Sequence, residues 1–445
     1  MMTPLWRGTE LAGLFGQDFH ADISGVSIDT RTLQPGDLFI ALADARDGHD
    51  FVGQAVSAGA AAVMVHKDVD TAVPQLRVAD TYEGLWQLGR GARQRFQGRV
   101  VALTGSSGKT TLRSWFEHVL TAAGSCHAST GSLNNHWGVP LSLARMPHDA
   151  AYAVLEVGTN HPGEIAPLSE LVSPHVSLLL NVLPAHIGNF DGLDALTEEK
   201  LCIATGLSEG GKFVVPSALQ KRSHWSDMIS FGGAGADVTA EVHPGNLGTN
   251  LDLNVLGQPM EAFLPFHGRE RVESTLALLA VLKALDVDLA QVLPRLADLP
   301  LPEGRGNLHQ VAGVVIVDDS YNANPGSMSM SLRSFANQQA ARKFALLGEM
   351  LELGDAARRY HQEIAGETGG LEQVFSFGEG FEACEFEAPA THYAAIADFP
   401  LVEFVGALRE GDAVLVKGSN KVFWVHGFVR DLIAALENRS NPDSA

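Results

Sequence analysis

Short apolar runs alternate with helical stretches along most of this chain. DLFIAL (37–42) reads as a strand, HDFVGQAVSAGA (49–60) as a helix and AAVMVH (61–66) as a strand. A helical, arginine-rich stretch around Leu85–Phe96 connects this unit to the next. The second unit opens with the strand RVVALTG (99–105). AYAVLEVG (151–158) and HVSLLLNV (175–182) are near-continuous apolar runs, as parallel strands covered on both faces require. Between 229 and 266 the pattern turns strand-rich, and a helix follows over 271–285. LPLPEGRG, ending at Gly306, reads as a linker. A third unit begins with VAGVVIVDDS (311–320) and includes KFALLGEM (343–350) and DAVLVKGS (412–419). Only the tail NRSNPDSA reads as disordered, and no internal repeat or low-complexity tract stands out. The pattern predicts an α/β protein of three domains: a small N-terminal α/β domain over 1–95, a central parallel-sheet domain over 96–305 and a C-terminal α/β domain over 306–445.

Composition narrows the class. A chain of 445 residues exceeds one compact core, and 45% hydrophobic with 19% charged residues is ordinary for a soluble globular protein. Lys and Arg number 31 against 52 Asp and Glu, a formal net charge of -21. That balance argues against nucleic acid or an anionic membrane as the main partner, since both reward a basic face. An anionic substrate would need the few cations gathered in one cleft. STLALLAVLKAL (274–285) is too short to span a membrane and carries Lys283, so it predicts a buried helix. Cys126, Cys202 and Cys384 lie far apart with no CxxC pair, which suits reduced, mostly buried thiols rather than a disulfide framework or zinc site. The opening MMTPLWRGTELAGLFG lacks a basic segment followed by an apolar run, so no signal peptide is expected. A soluble, cytoplasmic monomer is the expectation.

TGSSGKTT (104–111) carries the first explicit chemistry. It follows a strand and leads into the helix-forming TLRSWFEHVLTAAG, the context of a P-loop ATPase-like domain. Gly105 and Gly108 let the backbone N–H groups of the loop, with Ser106 and Ser107 between them, close around phosphate oxygens. Lys109 can reach β- and γ-phosphates, and the hydroxyl of Thr110, followed by Thr111, can hold Mg²⁺. Leu103 stands where a full-length GxxxxGK loop would have its first glycine, so the loop is shortened.

That shortened loop with a doubled threonine resembles the Mur ligases and folylpolyglutamate synthetases. Further motifs follow in order: SIDTRTLQPGDLFIAL, DGHDF, TGSLNNHWGVPLSL, LEVGTNHPGEI, NVLPAHIGNF, LTEEK, GRGN, DDSYNANPGSM, LGEMLELG and LVKGSN. From about residue 20 to 430 the chain resembles the Mur ligase family, and DSYNANP with LGEMLELG is similar to its D-alanyl-D-alanine-adding branch. The resemblance implies a Rossmann-like third domain. It also implies ATP-dependent joining of D-alanyl-D-alanine to UDP-N-acetylmuramoyl-tripeptide through an acyl phosphate, in peptidoglycan precursor synthesis. By the same resemblance, Ser27, Asp29, Thr30 and Arg31 belong to the uridine-nucleotide segment, and Asn134 and Asn135 contact the muramoyl peptide. Glu156 and His186 are implied Mg²⁺ ligands beside Thr110, and Lys200 is a lysine that the family carbamylates into an anionic ligand. Arg305 is implied in stabilising the transferring phosphoryl group; Asp319, Asn322 and Asn324 face the nucleotide; Lys417 and Ser419 line the dipeptide site.

Physical chemistry supports such a set. A carboxylate is a poor electrophile at neutral pH and must be activated before an amine can displace anything from it. Phosphoryl transfer to it is mainly positioning and charge neutralisation. Taken singly, Glu156 is an ordinary strand-end carboxylate, Lys200 an ordinary lysine on an acidic helix and Arg305 an ordinary hinge residue.

Three segments depart from the family pattern. Ser132 replaces an asparagine of GN-x-NN, Asn420 replaces the arginine of KGSR, and Gly268-Arg269-Glu270-Arg271-Val272-Glu273-Ser274 stands where GRHNVxN is usual. These departures keep two alternatives open: a Mur-like ligase with a changed acceptor, and a nucleotide-binding scaffold with a degenerate site.

Overall fold

The computed structural model describes residues 4–44, 46–131, 133–184, 187–244, 248–266 and 268–440. His186, Ser132 and the end of the tail lie outside the described residues. Three sheets organise the chain. The N-terminal sheet has four parallel strands, Gly25–Ser27, Asp37–Ile40, Ala62–Val65 and Gln75–Arg77, in sequence order. The central sheet has nine strands with Arg99–Thr104 between Val176–Leu179 and Tyr152–Glu156. Its parallel part continues to Val238–Pro244, where the chain turns into the antiparallel strands Thr249–Val255 and Gln258–Leu264. The third sheet is six-stranded and parallel except for its first strand, Asn307–Val311.

The apolar runs behave as expected of doubly covered strands. Val101, Leu103, Val154 and Leu178 point into one core, which is closed by Trp115 and Phe116 of helix Lys109–Leu120 and by Leu276–Leu282 of helix Arg269–Ala284. Val100, Ala102, Ala153 and Leu155, alternating with them, join a second core shared with the N-terminal domain. That shared core runs through helix Thr81–Arg95, and two long-range hydrogen bonds lock it: Trp6 Nε1 donates to the Ala144 carbonyl (2.9 Å) and Arg145 Nε to the Val26 carbonyl (2.7 Å). The first and second sheets therefore form a continuous body.

The run 311–320 that opens the third unit holds the turn of a hairpin: Ala312 and Gly313 take φ of 51° and 75°, and the chain doubles back between Val311 and Val314. Two expectations need correction. The tail is helical through Ser440, because Leu432 and Leu436 of helix Phe428–Ser440 fill the third core. The three cysteines are free, but each is only partly buried. Among the described residues no helix is long and apolar enough to cross a membrane.

Candidate active site

The phosphate loop sits at the C-terminal end of strand Arg99–Thr104, where neighbouring parallel strands diverge and α/β sheets bind ligands. Gly108 caps helix Lys109–Leu120 with φ of 81°, a left-handed conformation that a side chain would strain. Across the sheet, Asn181 holds the loop from behind. Its Oδ1 accepts from the Ser106 and Ser107 amides, both at 3.0 Å, and its Nδ2 donates to the Ser107 carbonyl, also at 3.0 Å. The Ser106 hydroxyl bridges the Leu183 amide and carbonyl at 2.9 Å each. Lys109 Nζ donates back to the Gly105 carbonyl (2.7 Å), and Thr111 continues the helix behind it.

Glu156, 2% exposed at the end of strand Tyr152–Glu156, faces the first turn of that helix. Its Oε2 accepts from Thr110 Oγ1 at 3.1 Å and its Oε1 from Asn134 Nδ2 at 2.7 Å. Arg113 Nε lies 4.0 Å from the same carboxylate and offsets part of its charge. The donor set fits Mg²⁺: it is hard and all-oxygen, and neighbouring ligands on an octahedral Mg²⁺ stand roughly 3 Å apart. Asn135 does a different job: its Oδ1 accepts from the Trp137 and Gly138 amides at 3.1 and 2.9 Å, capping helix Gly138–Ala144.

Three cations converge on this cleft. Lys200, 3% exposed near the end of helix Leu193–Leu201, is pushed down to about 7 by burial and by the charge of Lys109. Burial also lowers Lys109, and Glu156 opposes that fall while Arg305 adds to it. Arg305 comes from the linker, where Gly304 and Gly306 take φ of 68° and 83° so that the chain can turn back. Its guanidinium lies 4.2 Å from the centre of the Tyr321 ring, and its charge is felt at Glu156 and Asp319. In a chain of net charge -21, this concentration is local.

The third domain closes the site. Asn324 caps helix Pro325–Ala336 by accepting from the Ser327 amide (2.9 Å), and its Nδ2 reaches the Ser106 carbonyl at 3.5 Å. Asp319 Oδ2 accepts from Lys417 Nζ (2.7 Å) and Ser331 Oγ (2.5 Å), and Lys417 also donates to the Asn322 carbonyl (3.2 Å). Lys417 is thus buried beside Asp319 and Asn322, with its charge already matched. The Asn322 side is exposed, whereas Ser419 is buried with its hydroxyl unpartnered among the described residues.

A separate cavity of about 1120 Å³ lies between the first and central sheets. Asp29, Thr30 and Arg31 line it from one side and Thr130, Leu133 and Arg145 from the other. Arg31 Nη2 pairs with Asp29 Oδ2 at 2.5 Å, and the bond holds the Asp29 carboxyl below its usual range. Ser27 is buried and donates to the Asp29 carbonyl (2.9 Å), supporting this loop from beneath.

Comparison with known proteins places the chain as a whole. Residues 103–282 match the Mur ligase middle domain, 304–420 the Mur ligase glutamate ligase domain and 22–83 the Mur ligase catalytic domain. The UDP-N-acetylmuramoyl-tripeptide–D-alanyl-D-alanine ligase of Escherichia coli is 34% identical over 421 residues, covering 91% of this chain and 92% of that protein. The chain belongs to the Mur ligase family. The Bacillus subtilis protein that shares the Escherichia coli enzyme's name is 31% identical, covering 92% of this Mur ligase and 93% of its own length. Crystal structure I of MurF from Acinetobacter baumannii superposes with a TM-score of 0.87 at 30% identity, covering 96% of this chain and 99% of that one. The MurF ligase of Thermotoga maritima in complex with ADP gives 0.83 at 27% identity, covering 93% and 98%.

Sequence reasoning missed several residues that build the site of this Mur ligase. Asn181, two residues after an apolar strand, looks like any loop amide until its three bonds to the phosphate loop are seen. Arg113 lies on the loop-following helix among apolar neighbours, and only its burial beside Glu156 marks it. Glu199, next to Lys200, is buried because it accepts from the Gly163 and Ile165 amides at 2.7 and 2.8 Å.

Proposed function

We propose that this Mur ligase joins D-alanyl-D-alanine to UDP-N-acetylmuramoyl-tripeptide in the cytoplasm, with conversion of ATP to ADP and phosphate. The observation that carries the reading is the phosphate loop with Lys109 folded onto it, Thr110 bonded to the buried Glu156 and Asn324 of the third domain reaching its Ser106 carbonyl. Relatives named for this reaction over more than nine-tenths of the chain support the choice of substrates.

The γ-phosphoryl group passes from ATP to an oxygen of the tripeptide's terminal carboxylate, giving an acyl phosphate and ADP. The amino group of D-alanyl-D-alanine then attacks the acyl carbon, phosphate leaves, and the nitrogen loses a proton to form the amide. Loop amides and Lys109 hold the β- and γ-phosphates, while Arg305 meets the charge on the oxygens of the transferring group. Asp319, Asn322 and Asn324 face the nucleotide, and Asn134 positions the peptide near Glu156. Asp29, Thr30 and Arg31 hold the uridine end in the large cavity, whose volume has room for a nucleotide sugar. Thr110 and Glu156, with His186 and a carbamylated Lys200, would hold Mg²⁺, which supplies charge neutralisation between phosphates and carboxylate. A neutral amine is what carbon dioxide requires, and the fall of Lys200 to about 7 provides it near neutrality.

Phosphate release with each substrate omitted in turn tests the proposal. Release is expected only when ATP, the UDP-muramoyl-tripeptide and D-alanyl-D-alanine are present together. Release with another amine in place of the dipeptide would reassign the acceptor, for which the amide at Asn420 is the motivation. No release with any amine would leave a nucleotide-binding scaffold.

A further inference from the structure

Glu270 and Arg271 open helix Arg269–Ala284 where the family motif carries His and Asn, and the mechanism above assigns them nothing. Arg271 lies at the root of the interdomain linker. Its Nη2 donates to the Arg305 carbonyl at 3.2 Å, and its Nε lies 3.7 Å from Glu270 Oε1. The guanidinium is also within 5.0 Å of the centre of the Phe266 ring. Phe266 in turn stacks on Trp115, with centroids 5.1 Å apart and planes 10° from parallel. Trp115 belongs to the helix that starts at Lys109. The arginine is therefore braced against the rigid central domain at one end and touches the linker at the other.

The approach is close. A Cβ at Gly306 would meet Arg271 Nη2, the movable tip of that side chain, while the φ of 83° at Gly306 is what favours glycine there. Gly306 N donates to the Asp318 carbonyl at 2.6 Å, fixing the following residue to the third domain. The Arg305 backbone is thus held from both sides while its side chain reaches toward Lys109 and Tyr321.

We propose that Arg271 is a positioning residue: by holding the Arg305 carbonyl it fixes the linker so that the Arg305 guanidinium stands over the phosphate loop. The inference rests on the phosphoryl-transfer reading of that loop. Its chemical logic is that a planar guanidinium with several fixed donors can engage a carbonyl and a carboxylate together, which the shorter Asn cannot.

The test uses the full chain as wild type, Arg271→Met, Arg271→Lys, Arg305→Ala and the Arg271→Met/Arg305→Ala double variant. Hydrogen exchange without substrates should show faster exchange of the linker amides in Arg271→Met, with the phosphate loop unchanged. Phosphate release by Arg271→Met should fall on the order of 10- to 100-fold in kcat, the scale of a misplaced catalytic group. The KM for the UDP-substrate should stay within about twofold, since that cavity is remote. Arg271→Lys should recover part of the loss, and the double variant should be no slower than Arg305→Ala. Unchanged linker exchange, or losses that multiply in the double variant, would overturn the proposal. A wild type inert with all substrates would instead overturn the ligase reading, and the exchange measurement would still decide the role of Arg271.

Discussion

A primary amine buried to the extent of Lys200 loses hydration that a proton would demand, and the nearby charge of Lys109 adds to that cost. The folded-state value of about 7 lies below the ordinary 10.5 of the unfolded chain. Between those values the unfolded state holds the extra proton, so folding releases one and stability rises with pH across that window. Below it both states are protonated and the destabilisation is at its fullest. Wild-type protein, in buffer free of carbon dioxide, metal and nucleotide, should therefore gain ~2 kcal/mol of unfolding free energy from pH 7 to pH 9 relative to Lys200→Met. Denaturant melts at the two pH values measure it. Parallel pH dependence in the two proteins would mean that the amine is hydrated or neutralised in place. The sequence motif pointed to Lys200, but its burial follows from how helix Leu193–Leu201 packs, which the acidic run TEEK conceals.

At the scale of elements, legibility followed periodicity. The strands around the phosphate loop were readable because parallel strands covered on both faces need continuous apolar runs, as in AYAVLEVG. The hairpin at Ala312-Gly313 was hidden because apolar residues continue through the turn, and only a left-handed pair of residues breaks the strand. Asn181 was illegible for another reason: its partners lie more than seventy residues away, in a loop brought close only by the pairing of Arg99–Thr104 with Val176–Leu179. That amide takes up the N–H groups of Ser106 and Ser107 and so fixes the course of the loop, whose remaining amides are left to meet a phosphate. Asn181→Ala should weaken ADP binding by about tenfold or more, the equivalent of one or two neutral hydrogen bonds, while the thermal midpoint moves little. Calorimetric titration of the variant measures this. An unaltered affinity would show that the loop holds its shape without the cross-strand support.

At the scale of the whole molecule, the site is complete only where the third domain rests on the central one. The contact is backbone against backbone: Gly188 N donates to the Glu352 carbonyl at 3.3 Å, and a Cβ on Gly188 would come within 2.6 Å of Gly354 N. Glu352 itself takes a φ of 63°, and His361 Nε2, accepting from the Met350 amide at 2.9 Å, holds the same loop from within its own domain. Neither glycine can carry a side chain without parting the domains, whereas the phosphate loop, Thr110 and Glu156 all belong to the central body. Gly188→Val is therefore expected to separate binding from turnover. ADP affinity should fall only about threefold, because most phosphate contacts survive, whereas kcat should drop by about 100-fold or more as Asn324 and Asp319 are held away from the cleft. X-ray scattering should show a larger radius of gyration for the variant than for wild type under identical conditions. If the variant turned over normally with an unchanged radius, the loop Glu349–Gly354 would be free to yield, and docking at Gly188 would not govern assembly of the site.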